Sequence, residues 1–71
     1  MTQRKWVRVC KKLGIAVDQK KGKGSHYLII NPSGGRPQTL PYDCHRFISI
    51  EIYKSLLEWG YIEKELDKVI K

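Results

Sequence analysis

A β-hairpin in the middle of the chain is predicted by the stretch SHYLIINPSGGRPQTLP at residues 25–41. Its first part, residues 25–31, contains a short apolar run with aromatic and β-branched side chains, which is typical of a strand. Residues 32–35, Pro-Ser-Gly-Gly, are turn formers and predict that the chain reverses there. A further strand is expected over residues 38–41, with Pro37 at its beginning because proline has no N–H to donate to a ladder.

A first helix is predicted on the N-terminal side of the hairpin, over residues 3–13. Apolar residues recur there at helical spacing, and Gly14 follows where a left-handed helix cap is expected. The predicted inward face comprises Trp6, Val9, Cys10 and Leu13. Residues 15–19 then alternate apolar with small or polar side chains, which predicts a first strand, and residues 20–24 predict a basic loop.

A second helix is predicted after the hairpin, over residues 50–59. Ser49 is expected to cap it, and Glu51 in its first turn would complement the helix dipole. Ile48 is expected to pack on Tyr53 as a hydrophobic staple. The predicted inward face comprises Ile52, Tyr53, Leu56 and Leu57.

A short third helix is predicted to follow Gly60, where the chain should reverse. Its apolar residues at helical spacing are Ile62, Leu66, Val69 and Ile70. The sequence therefore predicts a single α+β domain over residues 1–71. The expected order of elements is α-β-β-β-α with an extra C-terminal helix.

The charge of the chain is large and unevenly distributed. There are 14 Lys and Arg residues against 7 Asp and Glu residues, which leaves a formal net charge of +7. This balance favours a polyanionic partner, through phosphate contacts and the release of counterions, so nucleic acid is the leading ligand class. Any one lysine run is often only a solvated face, but many cations cluster in the first third of the chain. They are Arg4, Lys5, Arg8, Lys11, Lys12, Lys20, Lys21 and Lys23.

Membrane, disulfide and metal chemistry are disfavoured by the sequence. No apolar stretch approaches the roughly 20 residues that a membrane span needs, and no signal peptide is recognisable, so we expect a cytoplasmic protein without a membrane contact. Cys10 and Cys44 are expected to be free thiols. Zinc is disfavoured because Cys44 and His45 are adjacent and the paired ligand spacing is missing. The carboxylates are scattered, so neither Mg²⁺ nor any other cofactor is expected.

His26 is the candidate catalytic residue. Cleaving RNA near neutral pH requires a group that takes a proton from the 2′-hydroxyl, and imidazole, with an unperturbed pKa of about 6.5, suits that task. Gly24 permits close approach of the backbone to a phosphate, and the Ser25 hydroxyl can bind a non-bridging oxygen. Taken alone, however, a His beside a strand is more often structural or simply exposed. The predicted RNA-binding residues are Lys20, Lys21, Lys23, Gly24, Ser25 and His45.

The element Lys23-Gly24-Ser25-His26 resembles the Lys-Gly-Ser-His or Gly-Ser-His element that opens the second strand of HicA toxins, which are messenger-RNA interferases. The similarity continues through the apolar strand, the Asn31-Pro32 turn, the Lys12-Leu13-Gly14 helix end and residues 49–61, and so covers nearly the whole chain. The resemblance implies a double-stranded-RNA-binding-like fold and cleavage of mRNA within a type II toxin–antitoxin system. It also implies a HicB antitoxin that covers the active face.

One position departs from the HicA pattern. Family members often carry a second His two residues after the proline that ends the third strand, whereas this chain has Asp43 there and its second imidazole at His45. The role of His45 is therefore open between a general acid, a phosphate contact and an exposed side chain.

Two classes of function remain. The first is a metal-independent endoribonuclease toxin that uses His26, and the alternative is a non-catalytic double-stranded nucleic-acid binding module that grips phosphates with the same loop and helix. A DNA-binding protein is disfavoured because no helix-turn-helix pattern is present. Tyr27 and Tyr42 are candidates for stacking on bases, although Tyr27 can equally pack under the sheet.

Overall fold

The computed structural model describes residues 1–19 and 26–71. Within these residues the predicted order of elements, α-β-β-β-α with an extra C-terminal helix, is confirmed. The elements are α1 (Gln3–Lys12), β1 (Val17–Asp18), β2 (Tyr27–Ile29), β3 (Gln38–Leu40), α2 (Arg46–Glu58) and α3 (Glu63–Ile70). The strands form an open antiparallel sheet in the order β1-β2-β3, so the protein has an α+β architecture.

The register of the sheet decides which segments meet at its ends. Tyr27 pairs with Leu40, so the start of β2 and the end of β3 lie side by side. Each strand is shorter than its predicted range. The main-chain pairing of β1 with β2 extends one residue beyond both strands, because Ile30 N–H donates to Ala16 O at 2.9 Å. We call the end of the sheet at the first pair the Tyr27–Leu40 end.

The hairpin turn between β2 and β3 forms where the sequence predicts it. Asn31 Oδ1 accepts a hydrogen bond from Ser33 N–H at 2.9 Å, and Gly34 N–H donates to Asn31 O at 3.0 Å. Gly34 has a φ of +80°, a left-handed conformation that glycine adopts without steric cost.

Helix α1 is capped at both ends by local chemistry. Thr2 Oγ1 accepts from Lys5 N–H at 3.1 Å at the N-terminus. At the other end Gly14 has a φ of +77°, its N–H donates to Lys11 O at 3.1 Å, and Ile15 N–H donates to Cys10 O at 2.8 Å. These two bonds make a Schellman motif, which confirms the predicted left-handed cap.

The core lies between the helices and one face of the sheet. Trp6 is only 1% exposed, and Val9 and Cys10 of the same helix are also buried, so the predicted inward face of α1 is largely confirmed. Its basic residues Arg4, Lys5, Arg8, Lys11 and Lys12 are all exposed. Helix α3 packs against α1, and its Leu66 is fully buried. The remaining core residues are Ile15, Ile29, Leu40, Cys44, Ile52 and Leu56.

Two apolar residues that the sequence pattern assigns to inward faces are exposed. Leu57 is 38% exposed and Ile62 is 61% exposed. Leu57 is rotated around the axis of α2 away from the buried side of the helix that carries Ile52 and Leu56. Ile62 precedes α3 as its N-cap residue. Helix α3 is instead tied to α2 by Tyr53, whose hydroxyl donates to Asp67 Oδ1 at 3.1 Å.

The predicted start of the second helix is wrong. Helix α2 begins at Arg46 and not at residue 50, and its N-cap is His45, with a φ of −67° and a ψ of 179°. Ser49 already lies inside the helix, since its N–H donates to His45 O at 2.9 Å. Glu51 is therefore beyond the first turn, and Ile48 packs on the core from within the helix rather than as a staple before it. The Ser49 hydroxyl serves a tertiary contact instead of a cap.

Among the described residues, none of the helices is both long and apolar enough to cross a membrane.

We expect Gly14→Ala to destabilise the protein by about 1 kcal/mol, because the left-handed conformation that glycine adopts freely is strained for alanine. A Cβ at Gly14 would meet nothing within 4 Å, so the cost is conformational and not steric. Urea unfolding of the two proteins measures it. Gly14→Asn is the control and should lose less, since asparagine tolerates this region better. Equal stability of Gly14→Ala and the wild type would contradict the assignment.

Candidate nucleic-acid interface

His26 is exposed and lies directly before β2. Because Tyr27 pairs with Leu40, the residue before Tyr27 and the loop after Leu40 occupy the same end of the sheet. The loop after Leu40 carries His45. The Tyr27–Leu40 pair thus places His26 beside the start of the loop that carries His45, although the two histidines are far apart in the sequence.

An open cleft of about 1160 Å³ lies at this end of the sheet. It is lined by the first turns of α1, by Gln19 and Tyr27, and by the loop residues 42–44. His26 immediately precedes one lining residue, Tyr27, and His45 immediately follows another, Cys44. Arg4 lines the cleft from α1, so the exposed basic face of that helix continues to the cleft.

The loop between β3 and α2, residues 41–45, is held by its own main chain and by α2. Cys44 Sγ–H donates to Pro41 O at 3.0 Å, and Ser49 Oγ–H donates to Cys44 O at 3.1 Å. From α1, Gln3 Nε2–H donates to Leu40 O at 3.2 Å in a buried bond. The backbone of the loop is therefore fixed from inside, while the side chains of Asp43 and His45 are exposed and Tyr42 is 71% exposed.

The Ser49 hydroxyl joins three elements. Besides donating to Cys44 O, it accepts from Trp6 Nε1–H at 3.3 Å and from the ammonium group of Met1 at 3.2 Å. It therefore links α2, the 41–45 loop and the N-terminal part of α1, which are the segments that surround the cleft. Sequence reasoning misses this role because a serine before an apolar helical pattern indicates a cap.

His45 occupies the N-cap position of α2, but its side chain makes no capping hydrogen bond. Its ring meets the ring of Phe47 edge-on, with centroids 6.1 Å apart and an angle of 80° between the planes. Phe47 is 74% exposed. Sequence reasoning considers Tyr42 but misses Phe47, because the predicted boundary leaves residue 47 before the second helix. Tyr27 packs against the core from a half-buried position.

Both cysteines are free, as expected, and both are buried. Burial raises the pKa of the Cys10 thiol to about 11. The pKa of Cys44 is also raised, mainly by burial and further by Asp43, against the opposing charge of the N-terminal ammonium group. Since the thiolate is the nucleophile, burial and a raised pKa disfavour both thiols as nucleophiles, and they contribute packing and a hydrogen bond.

The sequence-predicted site residues divide into two groups. His26 and His45 are described and exposed: His26 precedes β2 at the Tyr27–Leu40 end, and His45 is the last residue of the loop that follows β3. The predicted phosphate contacts Lys20, Lys21, Lys23, Gly24 and Ser25 lie outside the described residues. In the part of the chain that the structure describes, no group of three or more His, Cys, Asp and Glu side chains is arranged to hold a metal ion.

Comparison of the chain with protein-family models, with curated proteins and with solved structures finds no match.

We expect Ser49→Ala to destabilise the protein by about 1–3 kcal/mol, because it leaves Trp6 Nε1–H without its acceptor. It also leaves Cys44 O with only the 3.5 Å bond from the Met1 ammonium group. Amide exchange in residues 42–45 should also become faster. Ser55→Ala is the matched control on the same helix, since the Ser55 hydroxyl bonds to a single side chain, Gln38 Oε1, among the described residues and should matter less. Urea unfolding and hydrogen exchange compare the two variants. Equal losses of stability would show that Ser49 has no special role.

Proposed function

We propose that this protein is a metal-independent endoribonuclease of the HicA toxin type, part of a type II toxin–antitoxin system that cleaves mRNA, and that His26 is its catalytic residue. The observation that carries the proposal is the position of His26. The residue is exposed and follows the basic segment 20–25 in the sequence, and it immediately precedes Tyr27, which lines an open cleft that a polynucleotide can enter from solvent.

The proposed reaction needs one proton removed and one supplied. His26 takes the proton of the 2′-hydroxyl, the 2′-oxygen forms a bond to phosphorus, and the bond from phosphorus to the 5′-oxygen breaks. The leaving 5′-oxygen takes a proton from a second donor, either the His45 imidazolium or water. The products are a 2′,3′-cyclic phosphate and a free 5′-hydroxyl, so no metal-bound water is required.

The fold supports this proposal at the level of element order. HicA toxins have a double-stranded-RNA-binding-like α-β-β-β-α fold, and this chain has the same order with its antiparallel sheet β1-β2-β3. We propose that the likeness extends to this fold family. In that case the Lys-Gly-Ser-His element enters β2 here, as it does in the toxins.

RNA binding in this proposal rests on cations rather than on an enclosed pocket. The net charge is +7, and the exposed cations of α1 form a stripe that reaches the cleft at Arg4. Lys20, Lys21 and Lys23, with the Gly24 backbone and the Ser25 hydroxyl, are proposed to hold the scissile phosphate beside His26. Where water supplies the proton to the leaving oxygen, His45 is proposed to contact a neighbouring phosphate instead.

A protein partner follows from the same proposal. A HicB-type antitoxin that presents carboxylates would compete with RNA for the lysines and would cover His26. Inhibition would then be direct occlusion, and no change in the conformation of this chain would be needed.

The second candidate function is a non-catalytic module that binds double-stranded nucleic acid. The exposed stripe Arg4, Lys5, Arg8, Lys11 and Lys12 on α1 favours it, because a helix with this charge pattern can lie along the phosphates of a duplex. Cleavage of RNA is what separates the two functions.

We expect the full chain to cleave single-stranded RNA in the presence of a chelator and His26→Ala to lower the cleavage rate by about 10²–10⁴-fold. RNA affinity should be largely retained, since His26 is assigned to proton transfer. His45→Ala is the comparison variant and should weaken binding more than His26→Ala does. Gel-based cleavage kinetics and fluorescence anisotropy measure the two effects. Cleavage at the wild-type rate by the His26→Ala variant would remove the catalytic assignment.

Neutralising Lys20, Lys21 and Lys23 together, as Lys→Gln, should weaken RNA binding regardless of sequence. It should also flatten the plot of log affinity against log salt by up to about 2 units of slope, because each phosphate contact to a single strand contributes about 0.7. The matched control is Lys64, Lys68 and Lys71 changed to Gln, which removes the same charge in and just after α3. Identical slopes for the two triple variants would exclude the 20–23 segment from the interface.

A further inference from the structure

We propose that Tyr42 and Phe47 form a stacking platform for unpaired bases, and that the preferred ligand of this site is therefore single-stranded RNA rather than a duplex. The inference rests on the proposed function only in taking RNA as the ligand. The aromatic platform is defined by the rings of Tyr42 and Phe47, with His45 between them in the sequence.

Exposure separates these two rings from the other aromatic residues. The chain has seven Trp, Tyr and Phe residues, and all of them lie in the described part. Five are buried in the core or packed against it: Trp6, Tyr27, Tyr53, Trp59 and Tyr61. The two that remain are Tyr42, which is 71% exposed, and Phe47, which is 74% exposed. Both fall within residues 42–47. Large exposed apolar rings that are concentrated in one short segment, rather than scattered, favour a binding surface there.

The platform is presented on a fixed backbone. The 41–45 loop is anchored by the bonds of Cys44 to Pro41 and of Ser49 to Cys44, and Phe47 lies in the first turn of α2. The edge-on contact with His45 orients the Phe47 ring. A T-shaped contact covers at most one face of one ring, so each ring keeps a face on which a base can stack.

The cations around the platform favour a nucleic acid. Arg46 is exposed between His45 and Phe47, and the cleft next to Tyr42 is lined by Arg4 and by the carboxylate of Asp43, within a chain whose net charge is +7. Exposed aromatic rings together with cations that follow a phosphate backbone are the usual means of binding single strands. The bases of a duplex are already stacked on one another and cannot reach such rings, so the ligand must be unpaired.

An apolar protein partner fits the same region less well. Ile50 is 43% exposed and lies near Phe47 on α2, but charged residues interrupt this face at Glu51, Lys54 and Glu58. Tyr42 lies outside the helix, on the loop. Tyr42 lines the cleft, and Phe47 follows five residues later in the first turn of α2, so the two rings do not form a continuous apolar helix face.

The test measures binding without cleavage. Fluorescence anisotropy with a labelled 2′-O-methyl oligoribonucleotide, which lacks the attacking hydroxyl, is compared with the duplex of the same sequence. We expect Tyr42→Ala and Phe47→Ala each to weaken single-strand binding about tenfold, and to change duplex binding much less, because a stacked base contributes that much to affinity. Tyr42→Phe and Phe47→Tyr should restore it, since both keep a ring.

Two control variants separate stacking from apolar contact. Phe47→Leu keeps an apolar side chain without a flat ring and should bind like Phe47→Ala, whereas Ile50→Ala should bind like the wild type. Thermal unfolding of each variant checks that it is folded, which these exposed positions favour. Wild-type affinity of both alanine variants overturns the inference. So does equal weakening by Ile50→Ala, which would favour a protein partner on α2.

The outcome for this inference is distinct from the outcome for the nuclease. Ring variants that bind weakly in a chain that never cleaves RNA would support the platform and remove the catalytic proposal. Cleavage that depends on His26 but proceeds with an unchanged KM in Tyr42→Ala and Phe47→Ala would support the nuclease and remove the platform.

Discussion

The hydroxyl of Ser49 is the contact on which the cleft depends. It accepts hydrogen bonds from the Trp6 indole and the Met1 ammonium group and donates one to Cys44 O, so α1, α2 and the 41–45 loop meet at one oxygen. Trp6 is almost fully buried, and a buried donor that loses its acceptor is costly, which makes this arrangement cooperative. The hydrogen bonds of Ser49 therefore hold in place both the buried Trp6 and the segments that line the cleft.

The parts of the fold that the sequence predicts correctly are those that local chemistry determines. The hairpin turn follows from Asn31 and the glycines after it, and the end of α1 follows from Gly14, whose φ of +77° suits few other residues. The start of α2 is missed for the opposite reason. Ser49 is a good cap by type, but its hydroxyl is used by Trp6 and Cys44, and only the tertiary structure shows that choice.

In the candidate site, too, the features set by the local sequence are predictable and those set by tertiary contacts are not. The position of His26 before a strand is predictable, because the apolar run after it is a local signal. That His26 shares an end of the sheet with residues 41–45 depends on the Tyr27–Leu40 register, which pairs residues far apart in sequence. Phe47 is not identified as a site residue from the sequence, because a helix capped by Ser49 would leave residue 47 outside the helix. The helix begins at Arg46, and this places Phe47 in its first turn.

The position of the cleft follows from the size of the domain. A chain of 71 residues cannot surround a chamber and still bury a core, so a ligand site must form at a junction of elements on the surface. Here the junction is the Tyr27–Leu40 end, where the start of α1, β2 and the 41–45 loop converge. Helix α2 buries Ile52 and Leu56 on one side and exposes Phe47 and Ile50 on the other. Packing in the core explains the apolar residues on the buried side but not those on the exposed side. The Phe47 ring, 74% exposed, gains little from folding, so its apolar area is free to contribute to binding.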